Sequence, residues 1–130
     1  MAVRTARDGI QPYPTLDGSL IRELMHPAVH GNRAQSLAEA EVPPGGETRP
    51  HCHRIAEEIY HVIAGEGRMM LGDERFAIAA GDTVWIPQGT RHGLQNTGDQ
   101  PLTVLCCCSP PYNHDDTILD PTGTIDGPDP

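Results

Sequence analysis

Residues 45–65 read GGETRPHCHRIAEEIYHVIAG, and residues 81–96 read GDTVWIPQGTRHGLQN. The first stretch holds His51 and His53 one residue apart. Side chains of a strand alternate between its faces, so an H-x-H pair sets both imidazoles on one face and turns Cys52 to the other. Two ring nitrogens can then point at a common centre, as a metal ion requires. The chain reverses after His53 and offers Glu57 and Glu58 on the next strand. Alternation separates these two: Glu58 shares a face with Tyr60 and Val62, and Glu57 shares one with Ile59 and His61. Both faces are fairly apolar, so this pattern leaves the choice of carboxylate open. The second stretch contributes a third imidazole, His92.

Outward from these stretches the chain is a run of short apolar segments between turn signals. Strands are expected at residues 51–53, 57–64, 68–71, 75–78, 83–86 and 102–108. Turns are expected at Gly65-Glu66-Gly67, Gly72-Asp73-Glu74 and Gly81-Asp82, and Pro87 stops a strand. Many short strands with frequent turns indicate an all-β sandwich or barrel. Residues 19–25 are read as a strand. Residues 34–42 are read as another, because Ser36, Ala38, Ala40 and Val42 alternate with Leu37, Glu39 and Glu41, although Ala and Glu favour helix. His26 and His30 are assigned to a loop, since Pro27 argues against a helical i, i+4 pair. Residues 1–18, with Gly9, Pro12, Pro14 and Gly18, form an arm or short edge strand. The barrel domain is set at 19–112. Residues 113–130 make an acidic, Pro- and Gly-rich tail with a flexible end.

At 130 residues the length fits one domain with a core of its own. No apolar run approaches a membrane span, and the first residues have no apolar core of a secretion signal, so a cytoplasmic location is expected. Cys52, Cys106, Cys107 and Cys108 fit no disulfide framework and are read as reduced thiols. The formal charge is −9, from 18 acidic and 9 basic residues, and every basic residue is an arginine. That balance argues against nucleic acid and anionic membrane as partners. The absence of lysine excludes Schiff-base chemistry.

The spacing of the two stretches resembles the two motifs of the cupin superfamily, and specifically a small single-domain metal-binding cupin. The first motif runs G, five residues, H-x-H, three or four residues, E, six residues, G. Gly45, His51, His53, Glu58 and Gly65 satisfy it, whereas Glu57 misses the final glycine by one. The second runs G, five residues, P-x-G, two residues, H, three residues, N. Gly81, Pro87, Gly89, His92 and Asn96 satisfy that. The resemblance implies a single-domain jelly-roll β-barrel with His51, His53, Glu58 and His92 as metal ligands.

Three imidazoles and a carboxylate suit one divalent transition metal ion per chain: Fe, Mn, Ni, Cu, Co or Zn. Four protein ligands would leave about two open positions on a six-coordinate ion. The resemblance therefore implies a metal-dependent enzyme of the dioxygenase type acting on a small organic metabolite. The alternatives are a zinc-dependent sugar-phosphate isomerase or polyketide-type cyclase, and a non-catalytic small-molecule-binding cupin. Tyr60, on the Glu58 face, is the candidate catalytic residue, steering a bound substrate through its hydroxyl. Trp85, Gln95 and Asn96 are the other expected neighbours of the site, Asn96 mainly through turn and strand pairing. Arg49, Arg54 and Arg91 would favour an anionic substrate if they rim the barrel mouth. Cys106 and Cys108 share a face and are read as buried, inert thiols. His61 is expected to face outward and His114 to fall in the tail. The resemblance further implies a homodimer, compatible with outward-facing Ile59 and Ile63.

Overall fold

The computed structural model describes residues 1–120 and Ile125. Its strands are β1 (Tyr13–Pro14), β2 (Leu20–Met25), β3 (Ser36–Val42), β4 (His51–His53), β5 (Glu57–Ala64) and β6 (Glu66–Leu71). They continue as β7 (Glu74–Ala79), β8 (Thr83–Ile86), β9 (His92–Asn96), β10 (Leu102–Ser109) and β11 (Thr117–Leu119). One sheet has the order β1-β2-β3-β10-β5-β8 and the other β11-β4-β9-β6-β7. The pairings are antiparallel throughout. The two sheets close on each other as a single-domain jelly-roll barrel.

Period-two alternation decides what enters the barrel. Along β5, Glu58, Tyr60 and Val62 are buried while Glu57, Ile59 and His61 are exposed. Along β10 the inward set is Leu102, Val104, Cys106 and Cys108. Val42, Val62, Met69, Leu94, Leu102 and Val104 meet in the apolar core. Burial of each such side chain stabilises the fold by about 1.5–3 kcal/mol before its entropy cost. Gly65 turns β5 into β6 at φ +88°, and a Cβ there would lie 2.5 Å from the Pro101 carbonyl oxygen. Only glycine meets both demands.

Three features differ from the sequence reading. His92–Asn96 is a strand in its own right, lying between β4 and β6 in the five-stranded sheet. His26 caps and His30 closes one turn of helix, α1 (Pro27–His30), because proline at the first helical position forgoes only an N–H that would be unpaired anyway. Neither histidine joins the site: His26 Nε2 lies 2.8 Å from the Tyr112 carbonyl, and His30 Nδ1 accepts from the His26 N–H. The hydrogen bonding of the barrel also reaches beyond residue 112, since β11 pairs with β4 and sets Thr117 opposite His53. Most of the end expected to be flexible, residues 121–124 and 126–130, lies outside the described residues.

Candidate metal centre

His51 and His92 face each other across β4 and β9, and Glu58 enters from β5 in the opposite sheet. The ligand nitrogens of His51, His53 and His92 lie within 4.8 Å of one another, and all three residues are buried. Glu58 Oε1 is 3.2 Å from His53 Nε2 and 3.5 Å from His92 Nε2. The structure thus brings together the four residues that the two motifs single out.

The outer nitrogen of each ring is already committed. His51 Nδ1 donates to the Arg49 carbonyl at 2.9 Å, and His92 Nδ1 donates to the Thr90 carbonyl at 2.8 Å. His53 Nδ1 lies 3.1 Å from Thr117 Oγ1, whose own proton goes to the Asn113 carbonyl. The threonine oxygen therefore accepts, and His53 also carries its proton on Nδ1. In the neutral rings all three Nε2 lone pairs then point inward. His92 is 0% exposed and its Nε2 makes no hydrogen bond. A buried nitrogen of that kind is costly unless something fills its lone pair.

The electrostatics agree with this. Burial, followed by the neighbouring His92, lowers the His51 pKa to about 4, so the ring is neutral near pH 7. Burial alone would raise the Glu58 carboxyl; a proton shared with the His53 or His92 Nε2, or a cation in its place, overrules it and holds the carboxyl well below the usual carboxylate range. An ionised carboxylate facing bare ring nitrogens needs positive charge between them. A divalent cation supplies it without a proton, so this donor set fits a transition metal ion.

The remaining neighbours divide into those that face the cavity and those that do not. A cavity of about 50 Å³, measured as room for the centre of a water-sized sphere, opens beside His51, His53 and Glu58. That is space for about three to five waters or a molecule of a few heavy atoms. Tyr60 lines it, buried as a neutral phenol whose pKa burial and then Glu58 push well up. Cys106 and Cys108 line it too, and burial likewise pushes both thiols up, so they stay protonated. The Cys108 thiol donates to Glu58 Oε2 at 3.2 Å, which fixes the carboxylate's second oxygen.

Trp85 does not belong to the site. It is 61% exposed on the outside of β8, opposite Ile59, and donates to Glu57. Gln95 sits between inward-facing Leu94 and Asn96 on β9, is only half-buried, and is not among the lining residues. Asn96 is structural: its amide donates to the Val42 and Gln100 carbonyls, and its oxygen accepts from the Gly98 N–H. The arginine rim is likewise absent from the cavity wall. Arg54 reaches the Asp115 carbonyl, Arg91 pairs with Asp120, and Arg49 is exposed. Each of the three is one or two positions from a ligand histidine, and those beside His53 and His92 are turned outward by alternation. His61 faces outward as expected and lies 2.8 Å from Thr83 Oγ1.

Tyr112 and Asp17 are among the cavity residues that escaped the sequence reading. Tyr112 stands edge-on to His53 with ring centroids 5.9 Å apart. Asp17 brings a carboxylate oxygen to 3.8 Å from His51 Nε2. No spacing rule marks Tyr112, but the Asp17-Gly18 pair is a hairpin-turn signal that would at least have located the turn.

Comparison with known proteins agrees with this geometry. The family described as Cupin domain matches residues 38–108. An uncharacterized protein of Methanocaldococcus jannaschii, MJ1618, is 50% identical over 117 residues, covering 90% of this chain and 94% of that protein. An oxalate-binding protein of Thermotoga maritima is 34% identical over 86 residues, 66% of this chain and 67% of that one. A solved Thermotoga maritima structure, described as a predicted oxalate decarboxylase, superposes with a TM-score of 0.72 at 27% identity, covering 84% of this chain and 98% of that one. No helix among the described residues is long and apolar enough to cross a membrane.

Proposed function

The chain belongs to the cupin family, and on that premise we propose that it is a metal-dependent enzyme of the dioxygenase type acting on a small organic metabolite. The ligands in this reading are His51, His53, Glu58 and His92. The observation that carries it is the convergence of three inward lone pairs on an ionised carboxylate, with every Nδ1 proton spent elsewhere. A divalent ion held there would supply Lewis acidity, and redox capacity if it were iron, manganese or copper.

The chain's own groups define what can react. The narrow space beside the ligands favours a substrate that presents a small group to them. Tyr60 offers a phenolic proton to orient the substrate, and its neutrality keeps it a donor at neutral pH. Among the described residues the wall carries Asp17, Glu23 and Glu58 and no arginine. An anionic metabolite would therefore be drawn in by the ion and by no side chain of the wall. Pairing of two chains through the outer face bearing Ile59, Ile63 and Trp85 is part of the same proposal, and light scattering tests it.

A second reading, binding without turnover, draws support from the Thermotoga maritima relative that is named for binding oxalate. Elemental analysis of protein isolated without metal-affinity purification comes first. Oxygen uptake is then measured with iron- or manganese-loaded protein and a panel of small acids and phenols. Substrate-dependent uptake supports the dioxygenase reading. Tight ligand binding with no uptake under any metal selects the binding reading, and activity of the zinc form without oxygen selects an isomerase or cyclase.

A further inference from the structure

The hairpin joining β1 to β2 reads TLDGS over residues 15–19. Thr15 N donates to the Ser19 carbonyl at 3.0 Å and Gly18 N to the Thr15 carbonyl at 3.1 Å. Gly18 takes φ +96°, open to glycine at no steric cost. One oxygen of Asp17 is consumed by this turn: Oδ1 accepts from Thr15 Oγ1 at 2.7 Å, Ser19 N at 2.9 Å and Ser19 Oγ at 2.6 Å. The Asp17 carbonyl accepts from Arg49 N at 2.7 Å, tying the hairpin to the backbone just before His51. Oδ2 is left facing His51 Nε2 at 3.8 Å. Two donors each ~2.1 Å from one ion stand ~3.0 Å apart at a right angle and ~4.2 Å apart when opposite. The observed separation falls inside that range.

We propose that Asp17 is a further ligand, its Oδ2 binding the ion from the His51 side while Glu58 approaches from His53 and His92. This rests on the metal reading above. It is supported independently by His92, whose fully buried Nε2 lacks a hydrogen-bond partner and so marks the same centre as built for a cation. Two carboxylates neutralise a divalent charge. They also remove one open position, so an incoming molecule binds the ion through a single atom.

The test is Asp17→Asn, which keeps an oxygen for the turn and replaces only the metal-facing atom. Mn(II) affinity is read from the EPR signal of free Mn(II), and geometry from the visible absorption of the Co(II) protein. Thermal melting in chelator checks the fold. The expected result is Mn(II) binding weaker by about 10-fold or more, with an altered Co(II) spectrum and an unchanged melting point in chelator. Affinity within about two-fold of the parent and an identical Co(II) spectrum, while Glu58→Gln weakens binding, would overturn the role of Asp17 and leave the site standing. Failure of the parent protein to bind either ion would overturn the metal reading beneath it. Should Asp17→Asn not fold, a crystal structure of the Co(II)-loaded parent decides: a bond of about 2.0–2.2 Å to Oδ2 upholds the proposal, and an intervening water overturns it.

Discussion

The interior of the barrel changes character from one end to the other along the same strands. β10 presents Leu102 and Val104 and then Cys106 and Cys108, while β5 alongside it presents Val62, then Tyr60, then Glu58. β9 in the opposite sheet runs from Asn96 through Leu94 to His92. At the apolar end the wall is packed and the Asn96 amide ties the Val42 and Gln100 carbonyls together. At the polar end, buried imidazoles and a carboxylate surround a cavity. Buried polar groups of this kind cost stability unless paired. One end holds the barrel shut, and the other gives up part of that stability to keep polar groups buried around a cavity.

If the two ends are separable, variants should sort between stability and metal affinity. Leu102→Ala, at a fully buried position, should cost about 2–5 kcal/mol in urea unfolding, while the folded fraction keeps the parent's Mn(II) affinity. A parallel loss of both would break the comparison. His92→Gln should do the reverse, weakening Mn(II) binding by at least about 100-fold, beyond what loss of a ligand's supporting partner costs, with little change in urea midpoint in chelator.

Acid should act on the polar end first. His51 titrates near 4 when folded and near 6.5 when unfolded, so the unfolded chain takes up the proton first. In chelator, stability from this group is complete above about pH 6.5. It falls as pH drops towards about 4, by something on the order of 1–3 kcal/mol. Urea midpoints across that window check the sign; a midpoint rising on acidification would contradict it. Thr117→Val is the finest cut. It removes the acceptor that fixes the His53 tautomer and should weaken Mn(II) binding by about 10–100-fold with His53 still in place.

What was legible beforehand was whatever period two and turn spacing control. His51, His53 and Glu58 lie on strand segments consecutive in the chain, and the glycine at residue 65 fixes where the second of them stops. His92 could be matched to them because the second motif carries its own turn. Trp85 was also legible in principle, since alternation with buried Ile86 sends it outward, and the same rule turns Arg54 and Arg91 away from their histidine neighbours. The pull of arginine towards carboxylates obscured that. Asp17 and Thr117 were not legible. Each reaches the site only because a distant hairpin docks just before β4 or a distant strand pairs with it, and nothing in a local pattern records such docking.

That docking orders the parts of the site along the chain. A polypeptide complete to β10 already carries all three imidazoles and Glu58. It still lacks the threonine that holds the proton of His53 away from the centre, because β11 is made last among the described strands. A copy clipped before Thr117 would keep most of its barrel and all four converging side chains while losing the acceptor that holds the His53 proton on Nδ1.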